Sequence, residues 1–251
     1  CSFRSCNFMI FKPKVRAPPT NHILKIRDTE IVESEYMKFL GIWLDNKLAF
    51  KKQINYVMSK MKSAIGALIK TKHTLTYRSK MCLYNGLVKP HLDYCCLVWL
   101  DKANKGQFNQ LYVLQKRAIR LCFKASYNTH SAQLFRISNS IPLEDLYVRE
   151  SVIFIKKHQN SELPSSLSDK LGKFSTNVRT NQMYSMKIPS AYKCGHMFYN
   201  IISAWNKSNH ELRIPSKTDK TKDALKELTL EKLNLRKCEV KKCHMCIRDI
   251  S

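Results

Sequence analysis

The 251-residue sequence predicts a mainly α-helical protein with a small β portion at its N-terminal end. Three observations carry that expectation. Before residue 45 the apolar residues gather in short runs of aromatic and β-branched character, broken by prolines. After residue 46 they recur at helical spacing. Hydrophobic residues make up 44% of the chain, enough to bury a core beneath such helices.

Each element follows from its local pattern. Asn7 to Phe11 and Ile23 to Ile26 flank Pro13, Pro18 and Pro19, which predicts a hairpin or short antiparallel sheet. Met37 to Leu44 is a third strand-like run, within which Gly41 permits a bulge or a close backbone approach. Asp45 or Asn46 is suited to cap the helix that follows. In that helix Ile54, Val57, Met58, Met61, Ile65, Leu68 and Ile69 share one face. Lys52, Lys60 and Lys70 fall on the opposite side, with Lys62 at the border.

A second helix is expected from about Thr76 to Leu87, stopped by Pro90, with Leu92 to Leu100 as an apolar and aromatic connector. A third, from about Lys105 to Lys124, packs Phe108, Leu111, Tyr112, Ile119 and Cys122 and turns Arg117, Arg120 and Lys124 outward. Ile141-Pro142-Leu143 opens a fourth that ends near His158. The stretch 161–195, rich in Ser, Asn, Thr and Lys, reads as an irregular linker. Helix returns from about Gly195 to Lys207 and from about Thr218 to Leu235. The expected organisation is therefore strands over 1–45, a helical domain over 46–160, the linker over 161–195, C-terminal helices over 196–236, and a basic Cys-containing tail over 237–251.

Forty-four Lys and Arg against nineteen Asp and Glu give a formal charge of +25, which predicts a polyanionic partner. Nucleic acid fits best, because lysine and arginine displace the counterions condensed on its phosphates. The sequence starts at Cys1 without a signal-peptide pattern and reads as a piece of a longer frame. Ten cysteines at irregular spacing then read as thiols of an intracellular protein, nuclear or cytoplasmic, rather than as a secreted disulfide framework. No apolar run approaches the ~20 residues of a membrane-spanning helix, so no membrane partner is expected.

Several short segments share an order and spacing: Asn7-Phe8-Met9-Ile10-Phe11, Phe39-Leu40-Gly41-Ile42-Trp43-Leu44-Asp45, Leu87-Val88-Lys89-Pro90-His91-Leu92-Asp93-Tyr94, and Leu114-Gln115-Lys116-Arg117-Ala118-Ile119-Arg120. Together they resemble the thumb half of the reverse transcriptases of non-LTR, LINE-type (jockey-like) retrotransposons. The resemblance covers Asn7 to Leu235 and is strongest from Phe39 to Phe135. Asn177-Val178-Arg179-Thr180 and Ser203-Ala204-Trp205-Asn206 are similar to elements that follow the thumb, although Lys207-Ser208-Asn209 stands where a Pro-containing turn is usual.

The resemblance implies a palm-end sheet remnant, a primer grip at Phe39, Leu40 and Gly41, and a helical thumb. It implies contacts to RNA, an RNA/DNA hybrid or DNA from Lys52, Lys60, Lys62, Lys70, Arg117, Arg120 and Lys124. It also implies an upstream palm and fingers region of the same polyprotein as partner. Aromatic-x-Asp-Asp and Asp-Asp are absent from the sequence, so no catalytic residue is expected in it. The Mg²⁺ ions of the full-length enzyme would be held upstream. Asp93 and Asp101 lack a matching acidic partner and read as capping or solvated residues.

Cys238, Cys243 and Cys246, with His244 between, offer ligand types suited to Zn²⁺, but no fourth ligand follows, so free thiols on a basic tail are the other reading. Trp43 and Trp99 could stack on bases, although packing beneath the helices is favoured. Gln115 lies near an apolar helix face and is expected to tie down a loop. The functional expectation is a polymerase fragment that binds primer-template or RNA without catalysing. The alternatives are a stand-alone nucleic-acid-binding protein derived from such an element, or an inactive translated remnant.

Overall fold

The computed structural model describes residues 7–11, 24–26, 29–169, 171, 173–175, 183–185, 196–208 and 218–235. The fold is mainly α with a small β part. Strand β1 (Asn7–Phe8) runs parallel to β3 (Thr29–Glu33), which pairs antiparallel with β2 (Leu24–Ile26), in the order β1-β3-β2. The expected sheet was wholly antiparallel, and β1 departs from it. A parallel neighbour needs a connection of about a dozen residues or more, which the chain from Phe8 to Thr29 provides.

The run Met37 to Leu44 is two strands rather than one. Strand β4 (Tyr36–Phe39) folds back on β5 (Ile42–Asp45), with Phe39 opposite Ile42 and Leu40-Gly41 as the two-residue turn. Leu40 has φ 45° and Gly41 φ 86°. Positive φ at both central residues matches the right-handed twist of the flanking strands.

Helix α1 (Lys51–Lys70) does not start on a side-chain cap. Its N-cap is Phe50, in the left-handed region at φ 55°. Asp45 serves the preceding loop instead, its carboxylate accepting from the backbone N–H groups of Lys47, Ala49 and Phe50 at 3.1, 2.9 and 2.6 Å. Three donors that the loop leaves over are thereby satisfied. Helix α2 (Tyr77–Leu87) is capped by Thr76, whose side chain accepts from Ser79 N–H.

Pro90 does not stop the chain from coiling. It sits in the first turn of α3 (Lys89–Asp93), where its missing N–H has no intrahelical partner to lose. The expected connector is therefore helical: α3, then α4 (Cys96–Trp99) and a 3₁₀ turn over Leu100–Lys102. Helix α5 (Lys105–Cys122) opens on a capping box between Asn104 and Gln107. It ends two residues earlier than expected, with Lys124 at φ 54° beyond it. A short α6 (Ser131–Ile137) precedes α7 (Leu143–Gln159), for which Pro142 is the N-cap.

Within the stretch expected to be irregular lie α8 (Ser165–Ser168) and a pairing of β6 (Lys173–Ser175) with β7 (Met183–Ser185). Helices α9 (Met197–Lys207) and α10 (Thr218–Leu235) follow. The larger core joins α1, α2, α5, α6 and the start of α7 around Ile54, Met61, Tyr84, Leu111, Ile119 and Phe135. A second core joins the rest of α7 to α9 and α10 around Val152, Ile155, Ile201 and Trp205. Leu97 on α4 packs against both. No described helix is long and apolar enough to cross a membrane.

Candidate nucleic-acid interface

The tip of the β4–β5 hairpin is exposed: Phe39 by 58% and Leu40 by 75%. The Tyr94 hydroxyl donates to the Leu40 carbonyl at 2.6 Å and holds the turn against the segment between α3 and α4. A leucine at positive φ costs about 1–2 kcal/mol relative to a relaxed backbone, and this one buries little to offset it. The three residues singled out from the sequence thus form one protruding, fixed apolar tip.

Behind the tip, one face of the hairpin meets the first half of α1. Tyr36 and Lys38 alternate onto that face from β4, and Trp43 lies opposite Lys38 on β5. Lys52, Tyr56 and Lys60 form a row on α1 at a spacing of four. The Lys52 ammonium lies 3.7 Å from the Trp43 ring centroid and 4.8 Å from that of Tyr36. Lys38 and Lys60 lie over the Tyr56 ring at 5.3 and 5.5 Å. The hairpin is held in place by Gln53, whose side-chain oxygen accepts from Trp43 N–H at 3.1 Å. Cations of one sign converge here because rings interleave them.

This cluster contains Lys52 and Lys60 of the expected contacts and adds Tyr36, Lys38 and Tyr56. A sequence signal for the additions exists in the alternation Tyr36-Met37-Lys38 and in the four-residue row on α1. Lys62 and Lys70 are exposed but stand apart. Lys62 falls on the flank of α1 away from Lys60, and Lys70 is eighteen residues beyond Lys52, roughly 27 Å along the axis.

The α5 group forms a different surface. Helices α1 and α5 pack on each other through their buried residues, so their exposed sides face away from that shared contact. Arg117 is exposed, whereas Arg120 is half-buried and donates through Nε to the Thr129 carbonyl at 2.9 Å. Lys124 is exposed after the helix end.

Other expectations resolve within the core. Trp99 is fully buried and its indole N–H donates to the Tyr94 carbonyl at 3.0 Å. Gln115 is buried and ties the Ile141 loop and the start of α7 to α2. Asp93 pairs with Lys89 at 2.7 Å, and Asp101 accepts from the Asn200 side chain. No group of three or more His, Cys, Asp or Glu placed to hold a metal ion occurs among the described residues. Cys238, Cys243, Cys246 and the Asn177-Val178-Arg179-Thr180 segment lie outside them.

Hairpin and helix together define a basic helical module with an aromatic-lined cationic surface. No protein-family model and no solved structure matches the chain. Among curated proteins it is similar to the "Probable RNA-directed DNA polymerase from transposon X-element" of Drosophila melanogaster, 22% identical over 133 residues, covering 52% of this chain and 14% of that protein. It is also similar to the "Probable RNA-directed DNA polymerase from transposon BS" of the same organism, 27% identical over 144 residues, covering 56% of this chain and 16% of that protein. The matched stretch is thus about one-sixth or less of either relative's length. The chain is related to the reverse transcriptases of non-LTR, LINE-type transposons.

Proposed function

We propose that the chain is the thumb-containing part of such a polymerase and holds a primer-template duplex without performing the chemistry. The observation that carries this reading is Lys52 stacked between Trp43 and Tyr36, next to the exposed Leu40-Gly41 tip. Phosphate contacts from Lys38, Lys52 and Lys60 would fix the register of a duplex, and the tip would press on the primer end. An A-like RNA/DNA hybrid presents a wide, shallow minor groove, which suits recognition by shape and backbone. The exposed apolar side chains of Phe11 and Val32 support a second contact, with the polymerase segment that carries the Mg²⁺-binding carboxylates.

The test is fluorescence-anisotropy titration of the 251-residue chain with an RNA/DNA hybrid and with duplex DNA across a salt series. The double variant Lys52→Glu, Lys60→Glu should weaken hybrid binding about tenfold or more and flatten the salt slope by about two. Unchanged hybrid affinity in that variant would refute the assignment.

A further inference from the structure

On α5, Val113, Lys116, Arg117 and Arg120 line an open pocket of about 580 Å³ that Tyr127 closes from the following loop. The four helical residues follow 3–4 spacing, so they form one row on the exposed side of α5. Tyr127 is 82% exposed, the most exposed large side chain of apolar body among the described residues.

The loop that carries Tyr127 is built. Thr129 N–H donates to the Ser126 carbonyl at 3.1 Å, which sets Tyr127 and Asn128 at the apex of a tight turn. The Ser126 and Thr129 hydroxyls lie 3.0 Å apart, and Thr129 is buried. Arg120 anchors the turn through the Thr129 carbonyl and lies 6.0 Å from the Tyr127 ring centroid. Lys116 is kept near the pocket by the Tyr112 ring, 4.1 Å from its ammonium. Burial, and then the charge of Arg120, lower the Lys116 pKa. A ligand with negative charge relieves the second of these.

An aromatic ring raised beside three cations cannot be covered by the interior of a duplex, whose base faces are already stacked on one another. It can be covered by an unpaired base, while the adjoining phosphates meet Lys116 and Arg117. The pocket volume is in the range of sites that hold small organic ligands, which accommodates one nucleotide unit.

We propose that this pocket is a second nucleic-acid site, specific for single-stranded RNA or DNA, in which Tyr127 stacks on an unpaired base and Lys116 and Arg117 hold its phosphates. It stands on the other side of the α1–α5 contact from the Lys52 cluster. It shares with the proposed function only the premise that the chain binds nucleic acid.

The experiment compares two probes on the full chain at about 150 mM salt: an oligouridylate of roughly ten nucleotides and the RNA/DNA hybrid. Tyr127→Ala should weaken oligouridylate binding about tenfold, Tyr127→Phe should retain it, and neither should alter hybrid binding. Oligouridylate carrying 5-iodouracil should crosslink to Tyr127 by peptide mapping. Because Tyr127 is exposed, Tyr127→Ala will leave the circular dichroism spectrum unchanged. Wild-type strand affinity in Tyr127→Ala, an equal fall for hybrid and strand, or an oligouridylate that the wild type does not bind would each overturn the proposal. Loss of hybrid binding in the Lys52→Glu, Lys60→Glu variant with strand binding intact would leave it standing and bear only on the first site.

Discussion

Gln115 donates a 3.1 Å hydrogen bond to the Tyr84 hydroxyl, joining α5 to α2 inside the larger core. The same carboxamide donates to the Ile141 carbonyl at 3.0 Å and accepts from Leu143 N–H at 2.8 Å. Gln115→Leu would leave these backbone groups buried and unpaired, which costs about 1–3 kcal/mol for each group abandoned. We expect a loss of about 2–4 kcal/mol in urea unfolding, and a smaller loss for Tyr84→Phe, which spares both loop contacts. A Gln115→Leu variant as stable as wild type would show that the loop is held by other means.

Leu40 occupies a position that asparagine or glycine fills at lower cost. Leu40→Asn should raise stability by about 0.5–1 kcal/mol while weakening hybrid binding. Gly41→Val should destabilise by about 1 kcal/mol or more. A Cβ at Gly41 would meet the Tyr94 ring at an ordinary 3.6 Å, so that penalty is conformational rather than steric. Parallel urea midpoints and anisotropy titrations separate the two effects. If Leu40→Asn lowers both stability and binding, the turn is not strained as argued.

Lys156 is fully buried in the second core, 5.4 Å from the Trp205 ring centroid, and burial lowers its pKa to about 8. Between pH 8 and the ordinary lysine value of 10.5, the unfolded chain holds a proton that the folded chain has released. Stability therefore rises with pH there, by up to about 1.4 kcal/mol per unit. From about pH 8 the buried thiols Cys96 and Cys122 act increasingly in the opposite sense, in wild type and variant alike, so the window to examine is pH 8 to 9 with Lys156→Met as the reference. Urea midpoints should rise across it in the wild type and stay flatter in Lys156→Met. Equal slopes would contradict a neutral buried amine.

Burial pushes the thiols of Cys96 and Cys122 up to about 12, whereas Cys82 and Cys95 are exposed. Iodoacetamide at pH 8 attacks thiolates, so the native chain should be alkylated at Cys82 and Cys95 and spared at Cys96 and Cys122. Tandem mass spectrometry distinguishes the adjacent pair. Comparable labelling of Cys95 and Cys96 would mean that α4 opens readily.

The long periodic elements were legible in the sequence because their apolar residues keep one face over many turns. The bounds of α10 and the buried role of Gln115 came from such local rules. The hairpin at Leu40-Gly41 was not legible, since the turn that favours positive φ usually announces itself with Asn-Gly and here carries leucine. Pro90 rightly marked the end of α2 at Leu87, but it did not show that the chain coils again at once, because proline is also tolerated in a first turn. Of the candidate cation–aromatic surface, the placing of Lys52 and Lys60 on one exposed side was readable from α1 alone. Tyr36, Lys38 and Tyr56 join them through contacts between two elements, which no single periodicity contains.

Lysine side chains on a free surface wander, and fixing one against a phosphate forfeits up to about 2 kcal/mol of rotamer freedom. Lys38, Lys52 and Lys60 already rest on aromatic rings before any ligand arrives. Each ammonium still has three N–H groups to turn toward an anion. Part of the ordering loss is thus met during folding, and a duplex encountering this surface would find charges at set positions rather than a diffuse cationic cloud. Such a surface would suit a backbone of fixed phosphate spacing better than one whose spacing fluctuates.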